Sequence, residues 1–180
     1  MPRHLFALAL VFAAAPSVAQ ETTPSVADHE NWSVFVAAAN DTDPKQCFIA
    51  SRESENEVTQ NGAPSTARRS DPILHVTNTP GVDAPDVVSA FLGYPPDTNQ
   101  SLEIRIGSAT FPLLAGADAD SEWAWTRPDD DLGAVTAMRG GSVAVVTSNS
   151  RTGKIIVDSF SLIGFTAALD DARARCAAES

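Results

Sequence analysis

The stretch that most limits what this chain can become runs from Gly140 to Cys176, GGSVAVVTSNSRTGKIIVDSFSLIGFTAALDDARARC. Val143, Val145 and Val146 form one β-branched run, and Ile155, Ile156 and Val157 form another. Between them Ser148 to Gly153 is turn chemistry: Ser and Asn bond their own backbone, and Gly accepts positive φ. Two such runs across a short Gly-containing connection predict a β-hairpin. After Gly164 the period changes. Phe165, Ala168, Leu169, Ala172 and Cys176 recur at the spacing of one helix face. Asp170 and Asp171 precede Arg173 and Arg175, the order that a helix dipole favours. Thr166 is the expected N-cap. A hairpin followed by a one-sided helix must close onto something apolar, which the remaining chain has to supply.

It supplies short strands. Trp32–Ala37 alternates, with Trp32, Val34 and Val36 on one face and Phe35 on the other. Cys47–Ala50, Pro72–Asn78, Val87–Tyr94, Ser101–Ile106, Thr110–Ala115 and Glu122–Arg127 follow, separated by Gly-, Pro- and Asp-rich turns. Asp129, Asp130 and Asp131 ahead of Leu132, Val135 and Met138 fit a short helix closed by Gly140 and Gly141. Crossover helices between strands are missing, which disfavours a parallel sheet. The expectation is a mainly β fold: an antiparallel β-sandwich or partly open barrel, with a C-terminal α-helix and a short helix before the last hairpin. One domain would span residues 31–178. Residues 20–30, polar and aperiodic, read as a flexible leader. The long hydrophilic segment Glu53–Ser70 reads either as a mobile loop or as an excursion with some function.

Residues 1–19 read as a secretory signal peptide. Arg3 and His4 precede an apolar run from Leu5 to Ala15 that is too short to span a bilayer. Pro16 breaks that run, and Ser17-Val18-Ala19 sets small residues before Gln20, so cleavage is expected between Ala19 and Gln20. No later segment reads as transmembrane. The expected location is periplasmic or extracellular. The chain carries a formal charge of −11, and loss of Arg3 with the leader makes it −12. Nucleic acid needs a basic footprint, so that class of partner is excluded. In an oxidising compartment the two cysteines, Cys47 and Cys176, are most simply one disulfide. No CxxC spacing supports a redox-active pair.

A catalytic constellation does not emerge. His29 sits in the leader segment and His75 inside a strand, too few and too scattered for zinc. Asp118, Asp120 and Glu122 alternate but lack the glycine and terminal Glu of a calcium loop. No nucleophile elbow, phosphate loop or dinucleotide fingerprint occurs. No cofactor and no metal are expected. Trp123 and Trp125 fall on one side of a strand, and with Trp32 they read as core, with sugar stacking as the alternative.

Several pieces together resemble a known family. They are Gly93-Tyr94-Pro95, Ile106-Gly107, Ala124-Trp125, Ala137 to Gly141, Ser150 to Gly153 and Asp158 to Ala168, with Trp32, Cys47 and Cys176. This pattern resembles the invasion-associated locus B family of exported alphaproteobacterial proteins. The turn departs from the common family form, reading Arg151-Thr152-Gly153 after the Ser. The resemblance implies an envelope-associated or secreted β protein, linked in pathogenic members to host-cell entry, with no catalytic residues to carry over. Two functional expectations follow. The first is a non-enzymatic binding protein that meets an unknown protein or envelope component through loops 53–70 and 80–86. The second is an envelope hydrolase using paired carboxylates among Asp118, Asp120 and Asp129.

Overall fold

The computed structural model describes residues 23–39, 45–80 and 86–177. Residues 1–19, read as a signal peptide, and the expected Ala19–Gln20 junction lie outside the described residues, as do 81–85 of the second expected loop. Among the described residues twelve strands form one antiparallel sheet in the order β1-β2-β3-β6-β7-β10-β9-β8-β11-β12-β4-β5. They are β1 Ser25–His29, β2 Trp32–Ala37, β3 Gln46–Arg52, β4 Glu55–Gln60, β5 Ala63–Pro64, β6 Ile73–Asn78, β7 Val87–Phe91, β8 Glu103–Ile106, β9 Ala109–Ala115, β10 Trp123–Thr126, β11 Val143–Asn149 and β12 Lys154–Ser161. Two helices, α1 Pro128–Gly140 and α2 Phe165–Ala177, complete the expected class.

The sheet turns at β9. Residues 109–112 of that strand pair with β8, and 113–115 pair with β10. One ladder therefore folds over into two facing halves without closing, and β1 and β5 remain as edges. The core lies between the halves and is one cluster. Val34, Ile49, Leu74, Val76 and Val88 come from the first half, and Ile104, Val146 and Phe160 from the second. α2 lays Phe165, Ala168, Leu169 and Ala172 against it, the face that the spacing predicts. Trp32 is 1% exposed. Its ring meets Phe165 edge-on at 5.1 Å, and its Nε1–H donates to the Ser161 carbonyl at 2.9 Å. Cys47 in β3 and Cys176 in α2 are joined as a disulfide with Cα atoms 5.8 Å apart.

Four local expectations need correction. The polar segment 20–30 contains β1, paired with β2 through a tight turn at Glu30-Asn31. Segment 53–70 contains β4 and β5. Both are edge regions, where few side chains meet the core, so apolar alternation is weak. Asn61 and Gly62, at φ 53° and 77°, form the two-residue turn between β4 and β5; Asn-Gly was the available signal. Thr166 is not the cap of α2, because it lies inside the helix and the Ala168 amide bonds the Gly164 carbonyl at 2.9 Å. Gly141 does not end α1 in a left-handed cap either. Its φ is −92°, and a Cβ there would fall 2.6 Å from Ile106, so the glycine serves close packing.

Candidate functional site: an aromatic row on the outer face of the sheet

Side chains alternate across a strand, so each core residue of the first half has an outward neighbour. Those neighbours form a row. Phe35 on β2 and Phe48 on β3 are directly opposite in register, their rings parallel within 7° at 4.8 Å. Phe48 contacts His75 of β6 at 4.6 Å. His75 meets Trp123 of β10 edge-on at 5.8 Å. Trp123 in turn contacts Phe91 at 5.3 Å and Trp125 at 6.3 Å. The row crosses β7 because Ser89, between His75 and Trp125 in register, is too small to keep the larger rings apart. Ser89 is buried beneath them.

This overturns the expectation that Trp123 and Trp125 share the core with Trp32. They are on one side of β10, as the alternation requires, but Ala124 and Thr126 hold the inner side. Trp125 is 36% exposed, and Leu114 beside it on β9 is 49% exposed. The helices pack on the opposite, Trp32 face; no described element covers the row. His75 is the expected strand residue. Its Nδ1 faces the Thr77 hydroxyl at 3.2 Å and Ser89 at 3.4 Å. Burial among the rings pushes its pKa down to about 4, so it is neutral near pH 7.

At the Phe35 end the row runs into an open groove of about 400 Å³. Phe35, Ala50 and Ile73 form its apolar part, Asn31 and Ser33 bring polar groups, and Glu30, Arg52 and Glu53 bring charge. Asn31 Nδ2 donates to Ser161 Oγ at 2.9 Å, and Ser33 Oγ to Asp28 Oδ1 at 2.6 Å. Arg52 pairs with exposed Asp71 at 3.5 Å.

A second cluster lies between the halves. Arg69 donates Nη1 to Asp158 Oδ2 at 2.7 Å and Nη2 to Asp158 Oδ1 at 2.5 Å. It also reaches Glu53 Oε2 at 3.1 Å and the Leu92 carbonyl at 3.1 Å. Tyr94 and Ser148 share a 2.5 Å hydrogen bond nearby. Burial, with Asp158 beside it, holds the Glu53 carboxyl above its ordinary range. Glu53 and Asp158 are thus a carboxylate pair, but both Asp158 oxygens are spent on one guanidinium and the residue is fully buried. Such a triad ties the β4 region to β12 and offers no free oxygen to a reactant. Sequence reading did not pair these residues, since 89 positions separate Arg69 from Asp158.

The carboxylates that were expected to pair do not form a site. Asp118 and Asp120 are exposed on the β9–β10 connection, where Asp120 meets Arg151 at 3.3 Å. Asp129 is exposed in the first turn of α1. Asp131 is the buried acid of that turn, accepting the Val88 amide at 3.2 Å and the Thr126 hydroxyl. His29 contacts Asp171 of α2 at 3.0 Å, fastening the edge strand. Among the described residues no three His, Cys, Asp or Glu side chains converge as a metal cage would require, and no helix is long and apolar enough to cross a membrane.

Comparison with known proteins gives fold-level information. No family model and no curated protein matches this chain. Among solved structures, the crystal structure of invasion associated protein b from Bartonella henselae is similar, with a TM-score of 0.52 and 14% identity. The match covers 82% of this chain and 95% of that one. The fold is therefore like that of invasion associated protein b, the relationship that the sequence pattern resembles.

Proposed function

We propose that this is an exported, non-enzymatic binding protein of the bacterial envelope or exterior, and that its recognition surface is the aromatic row. Support for export comes from the leader pattern of residues 1–19, the disulfide and the fold shared with invasion associated protein b. The observation that carries the binding role is the row itself. Aromatic rings in contact across five strands, left uncovered by any described element, are what interaction surfaces are enriched in. The surface lies on a rigid sheet and not on the loops that the sequence favours.

The test expresses the full chain with its own leader in a bacterial host and fractionates the cells. Mass spectrometry should find a mature chain beginning at Gln20 in the periplasm or medium. Purified mature protein should then associate with isolated envelopes or host-cell surfaces, and Trp125→Ala should weaken that association at least tenfold. Retention in the cytoplasm with residues 1–19 intact, or association indifferent to Trp125, would overturn the proposal.

A further inference from the structure

The chemistry around the rings narrows what the row accepts. Among the described residues no charged side chain stands between the rings; charge enters at the edge, where Arg52 of β3 lies opposite Ile73, and in the groove, where Glu30 and Glu53 join it. Between the rings stand Ala37, Gln46, Ala50, Thr77 and Ser89, all outward neighbours in the register. His75, at its centre, is neutral near pH 7, and with Nδ1 engaged by hydroxyls its Nε2 has no partner among the described residues. In a protein with a net charge of −11 a strip of rings with only uncharged side chains between them is a local exception.

Apolar rings interleaved with hydroxyl and amide groups match a ligand that is itself banded, with C–H faces and hydroxyl edges. Ring faces carry partial negative charge and attract polarised C–H bonds. The groove at the Phe35 end extends the match. Arg52 presents a planar donor group suited to neighbouring hydroxyl pairs, Asn31 keeps one Nδ2–H beyond its bond to Ser161, Glu30 adds an acceptor, and Ser33 Oγ, while donating to Asp28, can still accept beside Phe35. From β2 to β10 the row spans four strand spacings, about 19 Å. That length takes several sugar rings in a line.

We infer that the row and its groove bind an uncharged linear polysaccharide, one sugar face lying along Trp125 and Trp123 and the chain's far end entering the Phe35 groove. This deepens the binding role proposed above and rests on it.

The experiment titrates mature, disulfide-intact protein with cellohexaose, maltohexaose and the hexamer of N-acetylglucosamine, followed by tryptophan fluorescence and calorimetry. The dimers of each series and dextran sulfate serve as comparison probes. At least one hexamer should saturate with a change in tryptophan emission and bind at least tenfold tighter than its dimer. Affinity should change less than twofold between 50 mM and 500 mM salt. Trp125→Ala and Phe35→Ala should each lose at least tenfold, with unchanged far-UV circular dichroism; Asp129→Asn, remote from the row, should bind as wild type. No saturable binding by any hexamer, binding equal for dimer and hexamer, or binding unaffected by Trp125→Ala and Phe35→Ala overturns the inference. Preference for dextran sulfate that vanishes with salt also overturns it. If hexamers fail while Trp125→Ala still abolishes envelope association, the surface is a binding site whose occupant is a protein or lipid, and only the saccharide assignment falls.

Discussion

His75 and Trp123 come from strands that are not hydrogen-bonded neighbours, yet their rings meet edge-on at 5.8 Å over the buried Ser89. Charging the imidazole there means placing a cation among apolar rings, and its pKa falls accordingly to about 4. The unfolded chain binds this proton near pH 6.5, the folded chain only near 4. Its contribution is complete above pH 6.5 and is lost as pH falls toward 4. The full effect is about 3 kcal/mol. Urea melts between pH 7 and pH 4 should show that decline, and His75→Gln should flatten it. Glu53 and Asp131, held above the ordinary carboxyl range mainly by burial, act in the opposite sense, losing stability as pH rises through their folded values. The difference between wild type and variant isolates His75. Parallel pH profiles for the two would refute the account.

The Cys47–Cys176 bond closes a span of 129 residues and pins α2 to β3. Loss of both cysteines as serines should cost about 2–5 kcal/mol, most of it through a less restricted unfolded chain. Guanidinium melts of the oxidised and reduced wild type should differ by a similar amount, and the double serine variant should track the reduced form. An unchanged midpoint on reduction would show that the bond does not carry this weight.

Arg69 is the sole cation on a fully buried Asp158, as far as the described residues show. Arg69→Met should strand that carboxylate and cost about 3–5 kcal/mol. Pairing it with Asp158→Leu should recover most of the loss, because an apolar pair of similar volume replaces a buried ion pair at little cost. Stability of the double variant is the discriminating measurement: if it is no better than the single one, the cluster is not an ion pair that stands alone energetically.

Gly164 and Gly153 both have positive φ, at 91° and 77°, but only one is crowded. A Cβ at Gly164 would lie 2.1 Å from the His29 carbonyl, whereas at Gly153 it meets nothing within 4 Å. Gly153→Ala should cost about 1–2 kcal/mol of backbone strain. Gly164→Ala should add displacement of β1 and cost at least about 3 kcal/mol. Thermal melts would rank them, and equal losses would contradict the close approach of β1 to the start of α2.

Local pattern was enough for the elements with a strongly apolar side. Alternation marked β2, β8 and the last hairpin, and the spacing of Phe165, Ala168, Leu169 and Ala172 chose the buried face of α2. An even cysteine pair, read together with the leader pattern of residues 1–19, pointed to the disulfide. β1 and β5 escaped because an edge strand has little apolar contrast to show, and the Asn61-Gly62 turn was the one local sign overlooked.

What sequence could not decide was which side of a strand faces in once both sides are apolar or aromatic. WAWT has tryptophans on one side and alanine and threonine on the other, and hydrophobicity alone puts the tryptophans inside. The tertiary structure reverses this, because β10 sits where the two halves of the sheet approach α1. There Ala124 packs without exposure and Thr126 reaches Asp131. The sequence by itself determined the strongly apolar strands and the helix face, both set by neighbours along the chain, and its even cysteine count named the crosslink. The strand order, the Arg69–Asp158 pair and the outward aromatic row depend on which strands meet, and only the folded sheet decides that.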